Sequence, residues 1–254
     1  MLLLAGGAAS AAAAPRVAVT CLPPGAAATF VLLDPQHGRL QVDGGARADR
    51  RYSPASTFKL VNTLIGLGTG AVDRVDQLLP YGGQPQPRPE WQHDMPLREA
   101  IRVSAVPIYQ ELARRIGLAR MAAMLRRLDY GNGEIGTVVD RFWLQGPLAI
   151  SAVEQVQFLD RLLRQTLPLR PAHVEALEAI TLQAESAGYA LHYKTGWSTA
   201  TRPQIGWVVG WLRRGDQRQP FALNMDIASE EQLPQRWALA RSCLVALGAL
   251  PAGD

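Results

Sequence analysis

The 254-residue chain predicts an α+β fold, with one antiparallel sheet built from both chain ends, flanked by helices, and a helical region inserted between its two parts. Three observations carry this. Residues 29–33 and 39–42 are apolar runs on either side of Asp34-Pro35-Gln36-His37-Gly38, the pattern of a hairpin. Residues 189–195, 204–212 and 221–227 are apolar and aromatic-rich, and Arg213-Arg214-Gly215-Asp216 joins the last two as a second hairpin. The stretches in between repeat apolar residues at the helical period. The sheet part is thus expected at about 15–55 and 185–254, and the helical part at about 56–184.

Each element has a local reason. Ser53 is placed to cap a helix and Pro54 suits its first position, so 55–67 reads as a helix with Phe58, Val61, Leu64 and Ile65 on its apolar face. Residues 84–89, with three prolines among polar residues, form a loop. A helix over 97–103 is interrupted by Ser104-Ala105-Val106 and restarts at Pro107, running to Gly117. Ser104 reads either as the cap of that second helix, the simpler reading, or as a hydroxyl aimed into a cleft. Residues 119–128 continue helical until Asp129-Tyr130-Gly131-Asn132-Gly133 turns the chain, and 142–147 is a further loop. Ser151-Ala152-Val153-Glu154 is a capping box that opens a helix to Leu163, 172–183 supplies another, and 233–250 closes the chain as a helix.

Composition narrows the function. With 48% apolar and 19% charged residues and a net charge of +4, the chain has ample core and no concentrated basic stripe of the kind that grips nucleic acid. Residues 1–14 are apolar or small and resemble the end of a secretory signal, and no later run is long enough to cross a membrane, so a free, exported protein is expected. The four histidines are dispersed and neither cysteine lies near one in a ligand spacing, which speaks against a metal site. Cys21 and Cys243 stand near opposite ends. Export would permit them to pair, but the reading that the sequence favours is two separate buried thiols.

Lysine usage directs attention to the chemistry. Only Lys59 and Lys194 occur, against twenty-four arginines. A guanidinium stays charged, whereas burial can turn an ammonium into a neutral base. In Ser56-Thr57-Phe58-Lys59 the serine and lysine are i and i+3 at a helix start, on one face, where an amine can take a hydroxyl proton. Alone, this spacing is equally that of two ordinary polar positions.

Five short motifs occur in one order: Ser56-Thr57-Phe58-Lys59, Ser104-Ala105-Val106, Tyr130-Gly131-Asn132, Trp143-Leu144-Gln145-Gly146 and Lys194-Thr195-Gly196. Together they resemble the class D, oxacillinase-type serine β-lactamases, over nearly the whole of residues 15–254. The resemblance implies hydrolysis of β-lactams through an acyl-Ser56 intermediate. Lys59, carbamylated by carbon dioxide, would be the general base, Ser104 would relay protons near Lys194, and the Ser56 and Trp197 backbone N–H groups would form the oxyanion hole. Phe58, Val106 and Leu144 would keep the amine dry, and the Trp143 indole would hold the carbamate. Thr195, Gly196 and Arg236 would meet the substrate carboxylate, with Arg202 the weaker alternative. Tyr130-Gly131-Asn132 would serve mainly as a cleft wall.

The resemblance further implies a periplasmic protein with no metal and no organic cofactor, whose partner is a small β-lactam rather than nucleic acid or a membrane. Oligomeric state is left open. Two alternatives stand beside it. A lactam-sensing domain would acylate without turnover, and a transpeptidase or carboxypeptidase would share Ser56 and Lys194 but typically carries Ser-x-Asn where this chain has Ser104-Ala105-Val106.

Overall fold

The computed structural model describes residues 14–186 and 188–252, so the leader expected at 1–14 falls, apart from Ala14, outside the described residues. The first part of the chain supplies strands β1 (Arg16–Ala18), β2 (Ala28–Asp34) and β3 (Arg39–Asp43). A small separate ribbon, β4 (Leu78–Leu79) with β5 (Met95–Pro96), lies within the helical region. The last part supplies β6 (Leu182–Ser186), β7 (Tyr189–Ser198), β8 (Gln204–Arg214) and β9 (Gln217–Ile227). The main sheet runs β1-β3-β2-β9-β8-β7-β6. Its two halves meet where β2 pairs antiparallel with β9, Phe30 opposite Leu223.

Among the described residues seven α-helices accompany the strands: α1 (Lys59–Gly68), α2 (Leu97–Arg102), α3 (Val106–Ile116), α4 (Leu118–Leu128), α5 (Ala152–Leu163), α6 (Pro171–Thr181) and α7 (Gln235–Ala246). Strand alternation divides the core between the sheet's two faces. Phe30 and Leu32 pack with Ala240, Cys243 and Leu244 of α7, while Val31 and Leu33 face the larger cluster under the helical region, which includes Phe58, Leu64 and Trp207. All seven residues of β2 are buried, because it is covered on both faces. The capping box at Ser151 and Glu154 forms as its sequence requires, with both reciprocal hydrogen bonds present. None of the described helices is long and apolar enough to cross a membrane.

Four expectations change. The sheet is not wholly antiparallel, because three-residue β1, too short to show a period, runs parallel to β3. The helix expected over 172–183 ends at Thr181, and 182–186 form β6. This edge strand is exposed on both faces, so it carries no burial pattern to betray it. The last helix is shorter than 233–250, since a 3-10 turn at Glu230–Gln232 precedes it and Gly248, at φ +74°, follows its end. Cys21 and Cys243 are not separate thiols but a disulfide joining residues 222 apart in sequence. The Asp43 carboxylate accepts the N–H groups of Cys21 and Leu22 at 2.7 and 2.8 Å, which ties the Cys21 loop to β3 and leaves it beside α7.

A cross-link closing so long a loop restricts the unfolded chain. Replacing both cysteines by serine is expected to lower the unfolding free energy by about 2–4 kcal/mol, read from urea denaturation under oxidising conditions, with turnover in the folded protein little changed.

Candidate active site

The Ser56 segment is not a plain helix start. Ala55–Phe58 forms a 3-10 turn that leads into α1 at Lys59. Ser53 does not cap it, because its hydroxyl donates to the Trp143 carbonyl at 2.8 Å, and the same carbonyl accepts the Ala55 N–H at 3.0 Å. Ala55 sits at φ +47°, in the left-handed region, a placement that costs on the order of 1 kcal/mol or more and persists only when the surroundings fix it. Ser56 follows, half-buried and open to a reactant.

Phe58 anchors the turn in an aromatic cluster. Its ring lies 5.9, 5.2 and 5.5 Å from those of Tyr130, Phe142 and Trp143. One buried side chain thereby joins three of the five sequence motifs. Lys59 is fully buried, and its Nζ donates to Ser56 Oγ at 2.9 Å. Among the described residues no carboxylate pairs with this amine, and the Tyr109 ring, 5.2 Å away, is the cation-accepting face beside it. Burial first, and the charge of Lys194 second, push the Lys59 pKa far below its ordinary value, so the amine is available as a base toward the hydroxyl it touches. Tyr109 itself stays a phenol, since burial raises its pKa and outweighs the opposing effect of the hydrogen bond between its OH and Thr63 Oγ1 at 3.0 Å.

Ser104 stands between α2 and α3 at φ +59°, half-buried. It makes no cap bond to α3, whose N-terminal flank is Ala105, and among the described residues its hydroxyl has no hydrogen bond, including none to Ser56, Lys59 or Lys194. Val106 opens α3 one turn before Tyr109. Trp143 is fully buried and its indole N–H lacks an acceptor, while Leu144 packs against the main core. Tyr130-Gly131-Asn132 forms a wall. Asn132 bonds to Pro147 O at 2.9 Å and Ala149 N at 3.0 Å, and a Cβ on Gly131, at φ +59°, would meet Ala149 O at 2.4 Å.

The opposite wall is β7. β6 pairs with it only as far as His192, leaving 194–198 to pack against the Ala55–Phe58 turn. A Cβ on Gly196 would lie 3.0 Å from Pro54 O and 3.1 Å from Thr57 Cγ2, so glycine lets strand and turn close together. Lys194 is buried and donates to Thr195 O at 2.9 Å. Burial, then the Arg236 charge, lower its pKa to about 7.

Arg236 reaches across from the first turn of α7, donating through Nη1 to Gly196 O at 2.7 Å and through Nε to Leu233 O at 2.7 Å. Burial and Arg88 lower its pKa to about 10, leaving it a cation at neutral pH. Its stem crosses β8 at Gly206, where a Cβ would sit 2.7 Å from Arg236 Cδ. Trp197 turns its indole to Gln204, at 2.7 Å. Arg202 instead lines a separate cavity of ≈420 Å3 with Arg47, Arg50 and Arg51, which none of Ser56, Lys59, Ser104 and Lys194 enters. Sequence reasoning missed Ala55, Tyr109 and Gly206, whose parts depend on a backbone angle or on neighbours remote in sequence.

This arrangement, a hydroxyl held by an uncharged buried amine across from a wall that carries the Lys194 amine and the Arg236 guanidinium, suits acyl transfer from a substrate bearing a carboxylate. The penicillin binding protein transpeptidase domain family matches residues 28–243. β-Lactamase OXA-5 of Pseudomonas aeruginosa is 39% identical over 88% of this chain and 85% of its own length. β-Lactamase OXA-48 of Klebsiella pneumoniae is 40% identical over 78% of this chain and 75% of its own. Among solved structures, the class D β-lactamase FUS-1 (OXA-85) of Fusobacterium nucleatum subsp. polymorphum superposes with a TM-score of 0.86 at 41% identity, covering 89% of this chain and 94% of that one. The class D β-lactamase YbXI from Nostoc also gives 0.86, at 36% identity and 89% and 95% coverage. Motif geometry, sequence and fold agree, and the chain belongs to the class D serine β-lactamases.

Proposed function

We propose that this chain hydrolyses β-lactams through an acyl-Ser56 intermediate, with Lys59, in carbamylated form, as general base. The observation that carries the reading is the Lys59 amine: fully buried, without a counter-ion, and 2.9 Å from Ser56 Oγ. Only an uncharged amine adds carbon dioxide, and the resulting carbamate supplies an anionic oxygen able to act as base toward Ser56 and toward water. The residues present fit such a group. Trp143 offers a buried indole N–H with no acceptor, the donor an added oxygen would require, and Phe58 and Tyr109 exclude water around it.

The remaining side chains divide the other tasks. Ser56 attacks the lactam carbonyl, and its own N–H with that of Trp197 stabilises the oxyanion. Ser104, held between two helices with an uncommitted hydroxyl, passes a proton to the leaving nitrogen. Lys194, with a pKa near neutrality, can give or take that proton. Thr195 and the Arg236 guanidinium receive the carboxylate, Gly196 allowing close approach. The Cys21–Cys243 disulfide supports an exported, oxidising setting such as the periplasm.

Turnover of a chromogenic cephalosporin is expected to rise on adding bicarbonate and to fall by about 10⁴-fold or more in Ser56→Ala and Lys59→Ala. With ¹³C-bicarbonate, NMR should show a carbamate signal that Lys59→Ala abolishes and Trp143→Phe weakens. Stoichiometric acylation without turnover would instead support a lactam sensor.

Adding a methyl at Gly206 should move Arg236 off its position. Gly206→Ala is expected to raise KM for the cephalosporin about tenfold, about 1.4 kcal/mol, with kcat within a factor of about two. A change confined to kcat would argue against Arg236 as the carboxylate anchor.

Lys194→Met removes a positive charge that lowers the Lys59 pKa. The Lys59 pKa therefore rises, its neutral fraction at a given pH falls, and half-occupancy of the ¹³C carbamate signal moves to higher pH. An unshifted titration would show that Lys194 does not act on Lys59.

A further inference from the structure

A buried polar chain runs behind the nucleophile turn. Gln155 lies on the apolar face of α5, at 2% exposure, among Ala152, Val153, Val156, Phe158 and Leu159. Both ends of its amide are engaged. Tyr130 OH donates to Gln155 Oε1 at 3.3 Å, and Gln155 Nε2 donates to Thr57 Oγ1 at 3.1 Å. Thr57 Oγ1 in turn donates to Pro54 O at 2.7 Å, a carbonyl that also accepts the Thr57 N–H at 3.1 Å. The direction of the chain is fixed, since a carbonyl only accepts: Thr57 must spend its proton on Pro54 and therefore needs a donor, which the Gln155 amide supplies. Burial raises the Tyr130 pKa, so the phenol remains a donor at the far end.

The chain ends on the backbone that sets Ser56. Pro54 and Thr57 flank Ala55 and Ser56, and Ala55 is held in the left-handed region. The Trp143 carbonyl fixes one side of the turn through Ala55 N–H and Ser53 Oγ. Gln155 fixes the other. An apolar residue of the same size would fill the space in α5 but would remove the amide that donates to Thr57 Oγ1 and holds the Tyr130 hydroxyl in place, loosening that side of the turn.

We infer that Gln155 is a positioning residue for the reaction, acting through Thr57 to aim the Ser56 backbone N–H at the oxyanion. This rests on the reading of Ser56 as nucleophile and oxyanion donor. Gln155 touches neither substrate nor the reacting atoms. A small misplacement of that N–H lowers the stabilisation of the tetrahedral intermediate and leaves the Lys59 amine where it is.

The test is a double-mutant cycle of Gln155→Met and Thr57→Val, with Thr57→Ser as the conservative variant. Its readouts are kcat/KM for the chromogenic cephalosporin, affinity for a boronic acid that forms a tetrahedral adduct on Ser56, the ¹³C carbamate signal, and thermal unfolding. Each single substitution is expected to lower kcat/KM and boronate affinity together, by about 10–100-fold. The double variant should be no worse than either single one, Thr57→Ser should restore both quantities, and the carbamate signal should be unchanged. Folded variants with wild-type boronate affinity, independent effects of the two substitutions, or loss of the carbamate signal in step with activity would each overturn the inference. Should Gln155→Met fail to fold, the Thr57→Val and Thr57→Ser pair decides by the same readouts. A wild-type protein that forms no boronate adduct and turns nothing over would instead defeat the proposed function itself.

Discussion

A lysine amine shut away from water, with no counter-ion among the described residues, is the constraint on which the rest of this molecule depends. Transferring an ammonium out of water costs several kcal/mol, and the side chain escapes most of that cost by losing its proton. Lys59 is kept in that condition from several sides. Phe58 seats the preceding turn in an aromatic cluster, Tyr109 covers the amine from α3, and the charge of Lys194 opposes protonation from across the cleft. The only hydrogen bond of the amine among the described residues is to the hydroxyl it would activate.

The two walls of the cleft are built by different means. On the helical side, a single carbonyl, that of Trp143, gathers the backbone of Ala55 and the hydroxyl of Ser53, so the loop that follows Phe142 is tied directly to the Ser56 turn. On the sheet side, β7 outruns its edge partner β6 and is free from Lys194 onward to lie against the turn. Glycine at 196 permits that approach, and glycine at 206 gives Arg236 a path across β8 to the carbonyl of Gly196. The Arg236 guanidinium thereby braces the strand that carries Thr195.

The sheet needs both ends of the chain, and the structure secures their meeting twice. β2 pairs with β9 along five residues, and the Cys21–Cys243 disulfide clasps the loop before β2 to α7. α7 carries Arg236 two turns before Cys243, so the clasp and the proposed carboxylate anchor lie on one helix. Asp43 adds a local restraint by accepting two backbone N–H groups of the Cys21 loop.

By itself the sequence determined the class of fold, the order of the five motifs and the pairing of Ser56 with Lys59. Those features are written locally: hairpins announce themselves by period and turn residues, the box at Ser151 by its own hydrogen bonds, and Ser56 with Lys59 by a spacing that any helical backbone converts into contact. Only the tertiary structure decided the rest. The left-handed backbone at Ala55 and Ser104, the pairing of Cys21 with Cys243, the exposed strand at 182–186, the crossing of Arg236 over Gly206 and the engagement of Gln155 with Thr57 all join residues far apart in sequence or set a backbone angle that no side chain advertises. Burial of the Lys59 amine is of the same kind. Its position was legible, but its lost charge depends on how many distant groups close around it, and only packing supplies those.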